Sequence, residues 1–168
     1  MFLIVISFAN VFIKKEQASN NAEQASIVAS GIILDSLEEA IDDYDSWLIP
    51  LLALDPIPDV AIGLEPLGDK VENKKNSLPS RFTESERKHK AINSVLKAEL
   101  PGNHRLRTIV SSNLSNAEGD IYSQVQSNII NNNGELSQTE IHFTNNRVEV
   151  ETATRFEALK YDEYFSEN

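Results

Sequence analysis

Apolar and polar positions fall into a few clear stretches along the chain. Met1 to Ile13 (MFLIVISFANVFI) is apolar but for Ser7 and Asn10. A polar run built on small residues follows, KKEQASNNAEQASIVAS, in which Ala18, Ala22, Ala25 and Ala29 recur at steps of three and four. The stripe continues through Ile33, Leu37 and Ile41 to Tyr44. Such steps place one face along a helix, and small residues on that face let another helix approach closely. No proline follows Lys15 until Pro50. The segment 1–48 therefore reads as one helix, roughly 70 Å long at 1.5 Å per residue.

The next apolar patch, Trp47 to Leu54, is broken by Pro50, Pro56, Pro58, Gly63, Pro66 and Gly68. These residues rule out a continuous helix, and 49–80 reads as an acidic connector with short helical turns. Thr83-Glu84-Ser85-Glu86 is a capping box that opens a helix running to about Leu100, where Pro101-Gly102-Asn103 stops it. Phe82 is placed to staple against Arg87 or to pack inward. A second helix begins near His104, with Leu106, Ile109, Val110, Leu114, Ala117, Ile121, Val125 and Ile129 at helical steps. It ends in Asn131-Asn132-Asn133-Gly134, which suits a left-handed cap. The short turn between these helices predicts an antiparallel pair. Thr139–Phe143 and Arg147–Leu159 read as strands joined at Asn145-Asn146, with Val148, Val150, Thr152, Thr154 and Phe156 on one face. An aromatic tail of Tyr161, Tyr164 and Phe165 precedes Asn168. The expected fold is α+β: a long N-terminal membrane-anchoring helix, an antiparallel helical pair and a C-terminal β-hairpin. The expected division is 1–48 anchor and stalk, 49–80 connector, and 81–168 extracytoplasmic domain.

The apolar run of 13 residues spans roughly 20 Å, short of the ~30 Å of a bilayer core. A secretory signal peptide calls for a basic n-region before the run and a small-x-small cleavage site directly after it, and this sequence shows neither at those places. A buried helix apolar on every side would need cover that the remaining residues hardly supply. The run is read instead as a transmembrane helix whose first residues precede this start.

Lys14 to Ser30, directly after a hydrophobic segment, resembles the N-terminal signature of TadE/TadG-like proteins, the tight-adherence (Flp) pilus-assembly family, in its Gram-positive, bacillus-type members. Gln17, Ala22, Glu23, Ala25, Ser26 and Ala29 fall on the family's pattern. The resemblance implies a single-pass cell-membrane protein with its body on the extracytoplasmic side, acting as a non-catalytic pilin-like or cell-envelope structural component. Its implied partners are other pilus or envelope proteins, met through the N-terminal helix, and the lipid bilayer. The helix-packing stripe would be Ala18, Ala22, Ala25, Ala29, Ile33, Leu37 and Ile41. Asp55-Pro56-Ile57-Pro58-Asp59 also resembles the D-x-I-P-D motif of a small YkvA-like membrane-associated family.

Charge narrows the classes. A formal net charge of −11 argues against nucleic acid and against adsorption to anionic head groups. Between Asp35 and Asp69 stand ten carboxylates and no Lys or Arg. Asp42, Asp43 and Asp45 could attract calcium, but no EF-hand loop surrounds them. There is no cysteine, which removes disulfide and thiol chemistry. His89, His104 and His142 lack metal-ligand neighbours at helical spacing, and no serine stands in a nucleophile elbow. No catalytic residue, cofactor or metal is expected. The alternative to an anchored assembly component is a soluble or secreted helical interaction module whose N-terminal helix docks on a partner or self-associates.

Overall fold

The computed structural model describes residues 2–144 and 147–153, with the backbone alone at 2–10, 143–144 and 147–148. The described elements are α1 (Phe2–Leu52), a 3₁₀ turn (Asp59–Ala61), α2 (Leu67–Ser77), α3 (Glu84–Glu99), α4 (His104–Asn131), β1 (Glu135–Thr144) and β2 (Arg147–Ala153). The fold is α+β, with a long N-terminal helix and a C-terminal antiparallel hairpin. The expected turn at Asn145-Asn146, the strand beyond Ala153 and the aromatic tail lie outside the described residues.

Among the described residues, no helix is long and apolar enough to cross a membrane. This overturns the expected single-pass anchor and the cell-membrane placement of the chain. The cause is local. An 18-residue window opened at Phe2 already takes in Lys14, Lys15 and Glu16.

The chain divides into two compact units, residues 31–120 and residues 1–30 with 121–168. They cut across the expected three-part division, because α1 and α4 each contribute to both.

Unit 31–120 is built on an apolar cluster. Ala40, Ile41, Tyr44 and Leu48 of α1 meet Ala61, Leu67 and Val71. Ala91, Ile92, Val95 and Leu96 of α3 and Leu106 and Val110 of α4 complete it. Helix α1 carries on through Pro50 to Leu52, past the expected break. A proline this close to a helix end removes one hydrogen bond only, and Leu51 and Leu52 pack against the cluster.

Helix α2 lies inside the expected connector. Only Leu67 and Val71 of its 11 residues are buried, too little to hold so short a helix alone. Its first free N–H groups are met from outside: Asp45 on α1 accepts from Leu67 N–H at 2.6 Å and from Gly68 N–H at 2.7 Å. This is an N-cap supplied from another helix. A methyl group on Gly68 would stand 3.0 Å from Asp45 Oδ2, so the cap has little room to spare.

Helices α2 and α3 form an antiparallel pair. Lys70, near the start of α2, reaches Glu99 at the end of α3 (2.7 Å) as well as Glu65 (3.0 Å). Lys75, further along α2, reaches Glu84 at the start of α3 (3.0 Å) and Glu72 (2.7 Å). Pairs this exposed contribute little stability, but they fix orientation. The capping box forms as expected: Glu86 N–H donates to Thr83 Oγ1 at 3.2 Å, and Thr83 N–H donates to a Glu86 carboxylate oxygen at 2.8 Å. Phe82 sits under the cations of Arg81 and Lys90, 5.0 and 4.8 Å from its ring centre.

Asn103 caps α4, accepting from Leu106 N–H at 3.0 Å while its amide donates to Tyr44 Oη at 2.6 Å. Asn113 stands on the buried line of α4 and donates to Asp43 (3.0 Å) and to the Ile109 carbonyl (3.1 Å).

In unit 1–30 with 121–168, Ile121, Val125 and Ile129 of α4, Ala25 and Ala29 of α1, and Val150 of β2 are buried. Helix α4 ends in a Schellman motif: Gly134 N–H bonds to Ile129 O (2.8 Å) and Asn133 N–H to Ile130 O (3.0 Å). The left-handed residue is Asn133 (φ 58°). Gly134 serves close packing, since a methyl group there would lie 2.5 Å from Ile129 Cγ2. Strand β1 starts at Glu135, earlier than the expected Thr139, and its pairing with β2 slips between Glu135 and Glu140. Val150 points inward while Glu149 and Glu151 are exposed, which is the expected alternation.

The caps make three outcomes testable. Asp45→Ala removes both acceptors from α2 and lowers stability by about 1–2 kcal/mol in urea unfolding. Gly68→Ala, which crowds the same carboxylate, lowers it in the same direction. Glu86 is held below the ordinary carboxylate pKa, first by the Thr83 N–H and then by the Thr83 hydroxyl. A depressed pKa means that the cap's contribution is complete above the ordinary value of 4.5 and is lost as pH falls through the folded-state pKa. The stability difference between wild type and Glu86→Gln therefore closes on acid titration followed by circular dichroism.

Candidate functional site

The helix-packing stripe singled out in the sequence lies along α1. Ala25, Ala29 and Ile41 are buried, and Ala18, Ala22, Ile33 and Leu37 are half-buried. Ile41 and Leu37 belong to the apolar cluster of unit 31–120. The stripe is thus largely packing surface of this chain, not a free face awaiting another helix. The buried line also includes Asn21, Ser36 and Ala40, which the apolar spacing alone passes over. The polar Asn21 is bonded there: its amide donates to the Asn132 carbonyl at 3.0 Å, and Gln17 reaches the same oxygen at 3.4 Å. Ser36 returns its hydroxyl to the Ile32 carbonyl at 2.8 Å.

Four of the ten carboxylates in the acidic stretch make structural contacts. Asp45 caps α2, Asp43 holds Asn113, Glu38 pairs with Lys88, and Glu65 with Lys70. No group of three or more His, Asp or Glu side chains that could hold a metal ion exists among the described residues.

Nucleophile–base geometry is also weak. Ser85 Oγ and His89 Nε2 stand 3.5 Å apart on the exposed face of α3, at the outer limit of a hydrogen bond. His104, Arg107, Thr108, Ser111, Ser112 and Ser115 line an open concavity of about 520 Å³. All six come from α4, and its serines make no hydrogen bond to His104 among those described. His142 binds Glu140 at 3.1 Å on the exposed hairpin.

What stands out instead is exposed apolar surface. On α1, Val11, Phe12 and Ile13 are 45, 69 and 63% exposed. In unit 31–120, Ile49, Leu54, Ile57, Val60 and Ile62 are all at least 44% exposed. Single exposed apolar residues are ordinary, but runs of them mark interaction surfaces.

No family model, curated protein or solved structure matches this chain. The TadE/TadG-like resemblance gains no support from these comparisons, and with no membrane-spanning helix among the described residues the pilus-assembly and cell-envelope role it implied has no support either.

A substitution separates the two kinds of position on the stripe. Ala25→Leu forces bulk into a fully buried site and lowers stability by about 1–3 kcal/mol in thermal unfolding. The same change at half-buried Ala18 has a much smaller effect. Equal tolerance at both positions would show the stripe to be a free face.

Proposed function

We propose that this chain is a non-catalytic protein-interaction module that associates through its N-terminal helix. The observation that carries this reading is the exposure of Val11, Phe12 and Ile13 at the end of a stretch whose sequence is apolar from Met1 onward. The neighbouring stretch of α1 behaves differently, because its small residues are buried against the chain's own elements. Residues 11–13 are helical and uncovered, so their apolar area becomes a driving force only when something covers it. Burying a side chain such as Phe12 or Ile13 stabilises a contact by about 1.5–3 kcal/mol. The partner most directly tested is a second copy.

Sedimentation velocity over a concentration series tests the reading. Wild type is expected to shift from monomer to larger species as concentration rises. Phe12→Ser with Ile13→Ser stays monomeric, with unchanged circular dichroism and unfolding midpoint. A wild type that remains monomeric throughout defeats self-association. Turnover of a hydrolase or transferase substrate that falls on replacing His89 or Glu86 defeats the non-catalytic part.

A further inference from the structure

Association through α1 needs a receiving surface, and unit 31–120 carries one that its core does not use. Val60 and Ile62 are 61 and 64% exposed and flank Ala61, which is fully buried. The turn that presents them is closed by backbone bonds from Ala61 N–H to Pro58 O (2.8 Å) and from Leu64 N–H to Ala61 O (3.2 Å). Leu51, Leu52 and Leu64 pin its ends to the apolar cluster. Ile49, Leu54 and Ile57 extend the exposed apolar surface along the same stretch. Asp55 and Asp59 lie between these residues, exposed and without an ion pair among the described residues. No Lys or Arg stands between Asp35 and Asp69.

We propose that this acid-flanked apolar turn receives the N-terminal helical segment of a second copy of the chain. The inference rests on the self-association proposed above and names its geometry. Residues 2–15 contain no carboxylate and end in Lys14 and Lys15. Val11, Phe12 and Lys15 stand at steps of three and four, which share one helix face. An apolar face with an ammonium at its edge is complementary to an apolar turn edged by Asp55 and Asp59. Like-with-like pairing is opposed by charge on both sides, lysine against lysine or carboxylate against carboxylate. The contact therefore joins different surfaces of two copies, and it closes into a reciprocal dimer or a larger ring, or extends as an open chain.

Segment-on-turn contact has a signature that segment-on-segment or turn-on-turn contact lacks. Phe12→Asp with Ile13→Asp destroys the inserted segment and leaves the turn intact. Val60→Asp with Ile62→Asp destroys the turn and leaves the segment intact. All four positions are exposed, so both variants are expected to keep the wild-type circular dichroism and unfolding midpoint. Each variant alone is expected to be monomeric in sedimentation velocity, and an equimolar mixture gives a 1:1 dimer and nothing larger. Charge reversal supplies a second reading: Asp55→Lys with Asp59→Lys weakens wild-type association by about tenfold or more at low salt, and mixing with Lys14→Glu/Lys15→Glu restores it. A mixture of the two apolar variants that stays monomeric overturns the inference. So does a turn variant that associates as well as wild type, an outcome that leaves the N-terminal reading standing. Vesicle binding that depends on Val60 and Ile62 while association does not would assign the turn to lipid and overturn it as well.

Discussion

Free N–H groups at a helix start must find acceptors, and in unit 31–120 one short stretch of α1 supplies or steadies them. Asp45 accepts from the first two N–H groups of α2. One residue earlier, Tyr44 holds the amide of Asn103, whose oxygen caps α4. One residue before that, Asp43 holds Asn113 on the buried line of α4. Tyr44 is itself buried, and desolvation raises its pKa above the ordinary tyrosine value; the phenol stays neutral and can serve as a hydrogen-bond partner at any ordinary pH. Three consecutive polar side chains thus connect α1 to α2 and to α4. The hydrophobic cluster supplies the driving force, but it is non-directional. These bonds set where α2 begins and how α4 is entered.

The same constraint governs the other unit at the opposite helix end. The last carbonyls of α4 are met by the Schellman bonds and, at Asn132, by Asn21 and Gln17 of α1. Asn21 is nearly fully buried, so leaving its amide or the Asn132 carbonyl without a partner would cost about 1–3 kcal/mol. A polar residue on an otherwise small and apolar line is explained by that accounting. Gly134 lets the chain turn against Ile129 and Asn21 without collision.

Where regular spacing and local caps carried the signal, the sequence was legible. The capping box at Thr83, the start and stop of α4, and the alternation of β2 all depend on residues within a few positions of each other. Helix α2 was not legible, because its cap comes from Asp45, 22 residues upstream, and only two of its side chains face the core. The run through Pro50 was misread for a related reason: packing of Leu51 and Leu52 outweighs one missing backbone bond. The alanine stripe was legible as one helix face, with Ala25, Ala29 and Ile41 buried, but periodicity does not say whether a covering element belongs to the same chain. The membrane reading failed on composition. Among the described residues the apolar run meets Lys14, Lys15 and Glu16 too soon for any helix to be long and apolar enough to cross a membrane. The exposed turn at 57–62 went unread because its apolar residues follow no helical or strand period.

The amounts of energy involved determine what kind of association the N-terminal segment can support. Side chains such as Phe12 and Ile13 contribute on the order of 1.5–3 kcal/mol each when fully buried. Fixing two molecules together costs an estimated 4–15 kcal/mol in lost freedom. Three exposed residues on α1 facing a comparable set on the turn bring the two sides near balance. Near balance, the weak terms decide. A favourable Lys–Asp alignment at the exposed edge, worth a few tenths to about one kcal/mol, would then set whether and in which orientation copies meet. The segregation of charge along the sequence, lysines beside the N-terminal apolar run and no Lys or Arg in the stretch from Asp35 to Asp69 that carries the turn, would have its largest effect in that regime.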